Sequence, residues 1–217
     1  GGAHRPSVTA TIFSDDHGKT WQRGEIAVPN TAEFINPNET VVVELADGSV
    51  MLNVRSESKA NRRLVTSSPD GATKWNAPVF DDALLEPICM ASIVRLSDKS
   101  TGGKSRILFA NPHNPGRPDG KDAPGRSRER KNVSIKLSYD EAQTWPINKT
   151  LEPEWSGYSD LAVLPGGIAL CFYERGSTDK KSGYKTGLLT VARFNLEWLT
   201  DGKDSFSKPS DQQERKP

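Results

Sequence analysis

Apolar and polar residues alternate in short runs along most of this chain. Ten runs of four to seven residues predict β-strands, at 7–13, 40–45, 49–54, 62–67, 91–96, 106–110, 133–138, 161–164, 168–173 and 187–193. Turn-forming sequences such as Ala-Asp-Gly and Pro-Gly-Gly separate several of these runs. A helical period is not sustained in any segment, and only 194–200 is expected to form a short helix. Many short strands joined by tight turns indicate an all-β chain, folded as a sandwich, a barrel or a propeller.

One short pattern recurs directly after three of these strands. The sequence S-D-D-H-G-K-T-W occupies 14–21, and related sequences occupy 67–75 and 138–145, with their first matching serines 54 and 70 residues apart. Repeats at about this period are typical of propeller blades. Because Asp and Ser side chains accept hydrogen bonds from nearby backbone N–H groups, each copy is expected to form a hairpin turn, with its tryptophan packed beneath neighbouring strands. The repeated carboxylates, Asp16 and Asp70 among them, would lie one per blade and would not converge on a metal or a substrate.

The charge balance argues against two classes of partner. Lys and Arg together number 29 and Asp and Glu together number 28, which gives no electrostatic reason to expect nucleic acid or an anionic membrane. No apolar run approaches the ~20 residues that span a bilayer, so no membrane span is expected. The first residues, G-G-A-H-R-P-S-V, lack the basic and apolar segments of an export signal.

Composition also predicts the state of the cysteines and the irregular parts of the chain. Cys89 and Cys171 lie among apolar residues and are too few for a disulfide framework, so both are expected to be buried free thiols. The segment 111–131 is rich in Pro, Gly and charge and is predicted to be a long exposed loop. Residues 201–217 are predicted to form a polar C-terminal tail.

Longer stretches carry a resemblance to a known family. The repeated turns match the Asp-box of bacterial neuraminidase repeats, a motif that several propeller families share. Three further stretches, N-P-N-E-T-V-V-V-E-L at 36–45 with its continuation to 55, R-K-N-V-S-I-K-L-S from 130 and G-Y-S-D-L-A-V-L from 157, resemble the bacterial exo-α-sialidases with Asp-box (BNR) repeats. The resemblance extends to about residue 200. It implies a six-bladed β-propeller, of which residues 1–200 would form the C-terminal two-thirds of the catalytic domain, or about four blades of ~40–50 residues.

The resemblance also implies the roles of four residues. Tyr158 matches the family's nucleophile, and Glu39 matches the carboxylate that activates it. Arg55 and Arg130 match two of the three arginines that bind the substrate carboxylate. The implied reaction is hydrolysis of terminal sialic acid from glycoconjugates, with retention of configuration, and it requires no metal or organic cofactor.

The chemistry of the implied substrate gives independent reasons for these residue types. Sialic acid carries a carboxylate on its anomeric carbon, so a carboxylate nucleophile would bring two anions together, whereas a phenol avoids that repulsion. A phenol with a pKa near ~10 needs a base within hydrogen-bond reach, which is the role expected of Glu39. Guanidinium groups suit the clamp because their planar donors bind a carboxylate in a bidentate manner, which lysine cannot do.

Each assignment has a competing interpretation. Glu44 lies five residues after Glu39, and strand alternation alone leaves either residue at a strand end. Arg126 and Arg128 share one basic run with Arg130. Tyr158 and Arg55 could be ordinary strand-end residues, with Arg55 solvated. Glu174 and Arg175 follow a predicted strand and are candidates for lining the site, without an assigned role.

Two elements of the family pattern have no match in this sequence. The third arginine and the general-acid aspartate of such sialidases come from the first blades, and no residue here corresponds to them. The alternative function is therefore a propeller fragment that binds sialic acid or another acidic glycan through Arg55 and Arg130 without cleaving it; a third is a purely structural propeller. Open blade edges are expected to favour self-association. A glycan substrate favours a secreted or periplasmic location.

Overall fold

A computed structural model describes residues 5–99, 103–114, 116, 128–176 and 186–206. Its described residues form twelve β-strands and one short helix. The strands are β1 (Thr9–Phe13), β2 (Gln22–Val28), β3 (Thr40–Glu44), β4 (Val50–Val54), β5 (Arg62–Ser68), β6 (Val79–Leu85), β7 (Ser92–Ser97), β8 (Arg106–Pro112), β9 (Lys131–Ser138), β10 (Ile147–Leu164), β11 (Ile168–Arg175) and β12 (Leu188–Phe194), and the helix is α1 (Leu196–Leu199). The all-β prediction is confirmed, and so is the short helix near the end.

The described strands form three antiparallel sheets, within each of which strands that are consecutive in the chain pair with one another. These contain β1–β2, β3 to β6 and β7 to β12. The last sheet turns at β10, whose first half pairs with β9 from Ile147 to Trp155 and whose second half pairs with β11 from Ser156 to Leu164. This one strand is therefore the outer strand of one four-stranded unit and the first strand of the next. Such successive antiparallel units are the blades of a propeller, present here as part of a ring.

Apolar side chains pack between the faces of successive units. Val43 and Met51 of the β3–β6 sheet meet Ile93, Ile107 and Phe109 of the following unit in one buried cluster. Every residue of β8 is buried, because this strand lies inside its sheet with both faces covered. The core is thus distributed between blades rather than gathered at one centre.

The three repeated sequences form the predicted turns. In the first turn, Ser14 Oγ accepts a hydrogen bond from the N–H of Gly18 at 2.8 Å, and Asp16 accepts one from the N–H of Thr20 at 2.9 Å and one from the Thr20 hydroxyl at 2.6 Å. The hydroxyl of Thr20, followed by its backbone N–H, lowers the pKa of Asp16 to about 2. The turns at 68–75 and 138–145 repeat these contacts.

The prediction for the tryptophans holds for two of the three turns. Trp75 packs against the buried cluster that contains Leu64, and the ring of Trp145 lies 5.6 Å from that of Phe109. For Trp21 the prediction is wrong, since its side chain is 60% exposed and its Nε1 donates to the carbonyl of Gly18 in its own turn. The β1–β2 pair forms a two-stranded sheet, which offers less surface for this ring to pack against.

Two irregular segments are more ordered than predicted. The exposed loop predicted for 111–131 is shorter than expected. Its first two residues end β8, its last residue begins β9, and Arg128 is 2% exposed. Residues 117–127 lie outside the described part of the chain. At the start of the predicted tail, Asp204 is buried and pairs with Arg106 at 2.7 Å, whereas residues 207–217 are outside the described part. Both cysteines are buried and free, as predicted.

Candidate active site

Glu39 and Arg55 form a pair at one end of the β3–β4 hairpin. The backbone N–H of Arg55 donates to the carbonyl of Glu39 at 3.2 Å, so the two residues continue the ladder and face each other across it. Residues opposite one another on a ladder point to the same side of the sheet. Accordingly, Arg55 Nη1 lies 2.5 Å from Glu39 Oε2, with the arginine side chain 8% exposed. The hairpin register thus places a nearly buried guanidinium against the carboxylate.

Tyr158 reaches this pair from β10, 119 residues further along the chain. Its hydroxyl donates a hydrogen bond to Oε1 of Glu39. Burial, and then the hydrogen bond to Glu39 and the charge of Glu39, raise the pKa of Tyr158 to about 12. The resting residue is therefore a neutral phenol at physiological pH. A proton leaving this oxygen has a carboxylate acceptor one hydrogen bond away.

Arg130 covers the ring of Tyr158. It immediately precedes β9, and its carbonyl accepts a hydrogen bond from the N–H of Ser156 at 3.0 Å, which ties it to β10. The guanidinium carbon lies 5.2 Å from the centre of the Tyr158 ring, within the range of a cation–π contact. Its Nη2 donates to the carbonyl of Ile88 at 2.7 Å. The structure therefore brings together the four residues selected from the sequence: the phenol of Tyr158, the carboxylate of Glu39 and the guanidinium groups of Arg55 and Arg130. Their roles remain predictions.

The structure describes two of the three competing residues, and only Glu44 lies at a distance from the four selected residues. Glu44 is exposed at the other end of β3 from Glu39, and its carbonyl accepts a hydrogen bond from Arg95. The backbone N–H of Arg128 donates to the carbonyl of Pro87 at 3.2 Å, and its side chain is buried. Arg126 is outside the described residues.

A turn at 86–89 supports the site and was not predicted from the sequence. Ile88 is 3% exposed and has a φ of 60°, a left-handed conformation that is rare for a β-branched residue. Its carbonyl is the one that Arg130 binds, and Oε1 of Glu86 accepts the N–H of Cys89 at 2.8 Å. Burial raises the pKa of the Cys89 thiol to about 12, so this cysteine is not a competing nucleophile at neutral pH. The Glu-Pro sequence marks a turn here, but nothing in it indicates the arginine contact.

A cavity of about 570 Å³ opens beside Glu39. Its walls come from β1, β3 and β4 and include Thr9, Thr11, Asn38 and Val42. This volume lies within the range of small-molecule sites. A larger cavity of about 880 Å³ is lined by parts of β4 to β6 and by residues 141–145, and it contains none of the four predicted site residues. Among the residues that the structure describes, no group of three or more His, Cys, Asp or Glu side chains is arranged to hold a metal ion.

No helix within the described ranges has the length and apolar character to cross a membrane. On this partial propeller, Tyr158 and Glu39 form a hydrogen-bonded pair with Arg55 and Arg130 beside it, and Glu39 alone of the four lines the adjoining cavity.

Proteins of similar sequence include bacterial sialidases. The BNR repeat-like domain family matches residues 3–171. A sialidase of Micromonospora viridifaciens is 33% identical over 192 residues, which are 87% of this chain and 25% of that protein. A sialidase of Bacteroides fragilis is 30% identical over 167 residues, 75% of this chain and 27% of that protein. The chain thus spans about a quarter of the length of these relatives.

Solved structures give the same picture at the level of the fold. The Hadza microbial sialidase Hz136 superposes with a TM-score of 0.65 at 29% identity, over 87% of this chain and 32% of its own. A leech intramolecular trans-sialidase superposes with a TM-score of 0.67 at 23% identity, over 90% of this chain and 29% of its own. Together with the family match, these similarities show that the chain belongs to the BNR repeat-like domain family and has, over the part that it spans, the fold of the sialidase β-propeller.

Proposed function

We propose that this chain carries the nucleophile side of an exo-α-sialidase site and acts on terminal sialic acid of glycoconjugates. The observation that carries the proposal is the hydrogen bond from Tyr158 to Glu39. Arg55 and Arg130 lie beside it, and Glu39, though not the other three residues, also lines a cavity of about 570 Å³. Relatives named as sialidases over most of the chain support the same class of reaction.

The residues suit a two-step displacement. In the first step the Tyr158 oxygen bonds to the anomeric carbon, the glycosidic C–O bond breaks, and the phenolic proton passes to Glu39. The leaving oxygen takes a proton from an acid or from solvent. In the second step water attacks the anomeric carbon and gives a proton to the conjugate base of that acid or to solvent, while the bond to Tyr158 breaks and the proton held by Glu39 returns to the phenolate. Two displacements retain the configuration.

Charge explains why the arginines belong near this phenol. The sugar carboxylate would sit on the reacting carbon, next to Glu39, and the guanidinium groups of Arg55 and Arg130 would offset the repulsion between the two anions. Arg55 already holds Glu39 at 2.5 Å, so it fixes the base while its positive charge faces the site. Arg130 rests on the ring of Tyr158 and keeps the nucleophile between the two cations.

The absence of a match to the family's general acid predicts a dependence on the leaving group. An alkyl glycoside needs its leaving oxygen protonated, whereas an acidic aryl alcohol leaves without that help. We therefore expect the 217 residues, assayed on their own, to cleave a fluorogenic aryl sialoside roughly 10²–10⁴-fold faster than sialyl-lactose.

The test compares the wild type with Tyr158→Phe on the aryl sialoside. Turnover should fall by at least about 10³-fold in the variant, and a 3-fluorosialyl fluoride probe should label Tyr158 in the wild type, as detected by peptide mass spectrometry. Tyr139→Phe is the matched control, because Tyr139 packs near Lys104 in another part of the chain. Equal turnover in the wild type and Tyr158→Phe would refute the nucleophile. Saturable binding of sialyl-lactose by calorimetry, without turnover in either protein, would instead support the non-catalytic binding module.

A further inference from the structure

The strand that carries Tyr158 is irregular at the point where the tyrosine lies. Along the β10–β11 ladder, Ser156 pairs with Arg175 and Ser159 pairs with Tyr173. Two residues of β10, Gly157 and Tyr158, therefore stand opposite a single residue of β11. This is the arrangement of a β-bulge, which leaves one residue outside the regular ladder and redirects a side chain.

The residue opposite the bulge is Glu174, and its side chain fills the gap. Its Oε2 accepts a hydrogen bond from the backbone N–H of Tyr158 at 2.9 Å. A Cβ atom added to Gly157 would lie 2.1 Å from the same oxygen, so the carboxylate occupies the space that any other residue would need. Glycine at 157 and the carboxylate at 174 are therefore a matched pair.

We propose that Glu174 is a positioning residue for Tyr158: its carboxylate binds the tyrosine N–H and, with Gly157, fixes the bulge that directs the phenol towards Glu39. The catalytic consequence of this inference rests on the proposed function, whereas the positioning of Tyr158 by Glu174 does not. Glu174 acts through the backbone of Tyr158 and is assigned no contact with the sugar.

The direction of the phenol depends on this bulge for a geometric reason. Side chains alternate between the two faces of a regular strand, so inserting or removing one residue of register moves a side chain to the other face. Glu39 lies on a separate sheet, 119 residues away in sequence, and cannot follow such a movement. A displacement of about 1 Å at a reacting group can cost roughly 100-fold in rate.

Two substitutions separate the hydrogen bond from the charge. Glu174→Gln removes the charge but keeps a carbonyl oxygen that can accept the N–H of Tyr158, whereas Glu174→Ala removes the acceptor. We expect kcat on the aryl sialoside to fall about 10- to 100-fold in Glu174→Ala, with KM changed less than about threefold, and both constants to stay within about threefold of wild type in Glu174→Gln. Circular dichroism confirms that both variants are folded.

A second readout does not require turnover. Tyrosine labelled with ¹³C at Cζ reports by NMR whether each phenol is ionised, and subtraction of the Tyr158→Phe spectrum identifies Tyr158. In the wild type the signal should remain that of the neutral phenol up to pH 11, because burial, followed by the hydrogen bond to Glu39 and its charge, raises the pKa of Tyr158 to about 12. In Glu174→Ala the phenol should turn away from Glu39 and ionise nearer its ordinary pKa of 10, while Glu174→Gln should behave as wild type.

The outcomes distinguish the two proposals. If the wild type shows no turnover, the proposed function fails, yet the NMR titration still tests the positioning. An unchanged Tyr158 titration in Glu174→Ala, or an equal change in both Glu174 variants, would overturn the inference, the second because charge rather than the hydrogen bond would be responsible. Gly157→Ala provides an independent variant, since its methyl group displaces the same carboxylate; combined with Glu174→Ala it should add less than about twofold.

Discussion

Tyr158 has a raised pKa, whereas the proposed reaction requires its proton to leave. Burial disfavours the phenolate, and the adjacent Glu39 disfavours it further by hydrogen bonding and by charge. The same carboxylate is the group that can take the proton during attack. At the residue scale, the resting state is therefore protected from ionisation while the route for proton transfer is already formed.

Glu39→Gln tests both effects at once. The amide cannot accept the proton as a base and carries no charge, so we expect kcat on the aryl sialoside to fall roughly 10²–10⁴-fold and the pKa of Tyr158 to move down from about 12. Steady-state kinetics and the Cζ titration measure the two results. Glu44→Gln, at the exposed end of the same strand, is the control and should change neither. A Tyr158 pKa that did not move in Glu39→Gln would contradict the hydrogen-bonded pair.

The sequence predicts some parts of this site better than others. The hairpin turn at 46–48 sets the β3–β4 register, from which the pairing of Glu39 with Arg55 could be worked out. Bringing Tyr158 and Arg130 to that pair depends on contacts between separate units, and the resemblance to sialidases was needed to assign their roles. The role inferred for Glu174 depends on a bulge, whose position no alternation of apolar residues reveals.

At the element scale, the repeated turns account for much of what was predictable. Of the strands that precede them, β5 and β9 lie inside their sheets and β1 belongs to a two-stranded sheet; each is apolar on at least one face, and all three were predicted. The strands missed were β2, β6 and the first half of β10, which carry charged or polar residues because they lie towards the outside of their sheets. In β6 one of those polar residues has a partner in the next unit, since Asp81 accepts the indole N–H of Trp145 at 2.9 Å. Polar residues that make such contacts interrupt the apolar pattern of an outer strand, so its sequence resembles that of a loop.

Asp16→Ala should open the first turn. Its carboxylate accepts both the N–H and the hydroxyl of Thr20, so we expect amide hydrogen exchange at Thr20 to accelerate about tenfold or more at pH 7. Because the folded pKa is lowered from 3.8 to about 2, the wild-type protection is complete above pH 3.8 and is lost as the pH falls through about 2. Asp15→Ala, in the same turn and exposed, is the control. Equal acceleration in both variants would show that the turn does not depend on this carboxylate.

At the scale of the whole molecule, a buried amine in the core makes stability depend on pH. Lys136 is fully buried in β9, where its Nζ donates to Asn111 Oδ1 at 2.8 Å. Burial lowers the pKa of Lys136 to about 7. The charge of Asp81 raises this pKa, and the charge of Arg63 lowers it further. Between this value and 10.5 the unfolded chain binds a proton that the folded chain does not, so stability rises with pH in that window.

Lys136→Met removes this dependence. We expect the wild-type free energy of unfolding, from urea titrations, to gain about 3 kcal/mol between pH 6.5 and pH 9.5 relative to the variant. The exposed Lys19 offers the control substitution Lys19→Met, which should follow the wild type at both pH values. Parallel curves for the wild type and Lys136→Met would mean that the amine keeps its proton in the core.

The double membership of β10 has a mechanical consequence. Its 18 residues leave β9 at Trp155 and join β11 at Ser156, two positions before the tyrosine. The backbone of β10 thus joins two blades whose faces also pack against each other, and the phenol lies within two residues of the joining point. A change in the angle between these two blades would therefore shift the phenol oxygen relative to Glu39.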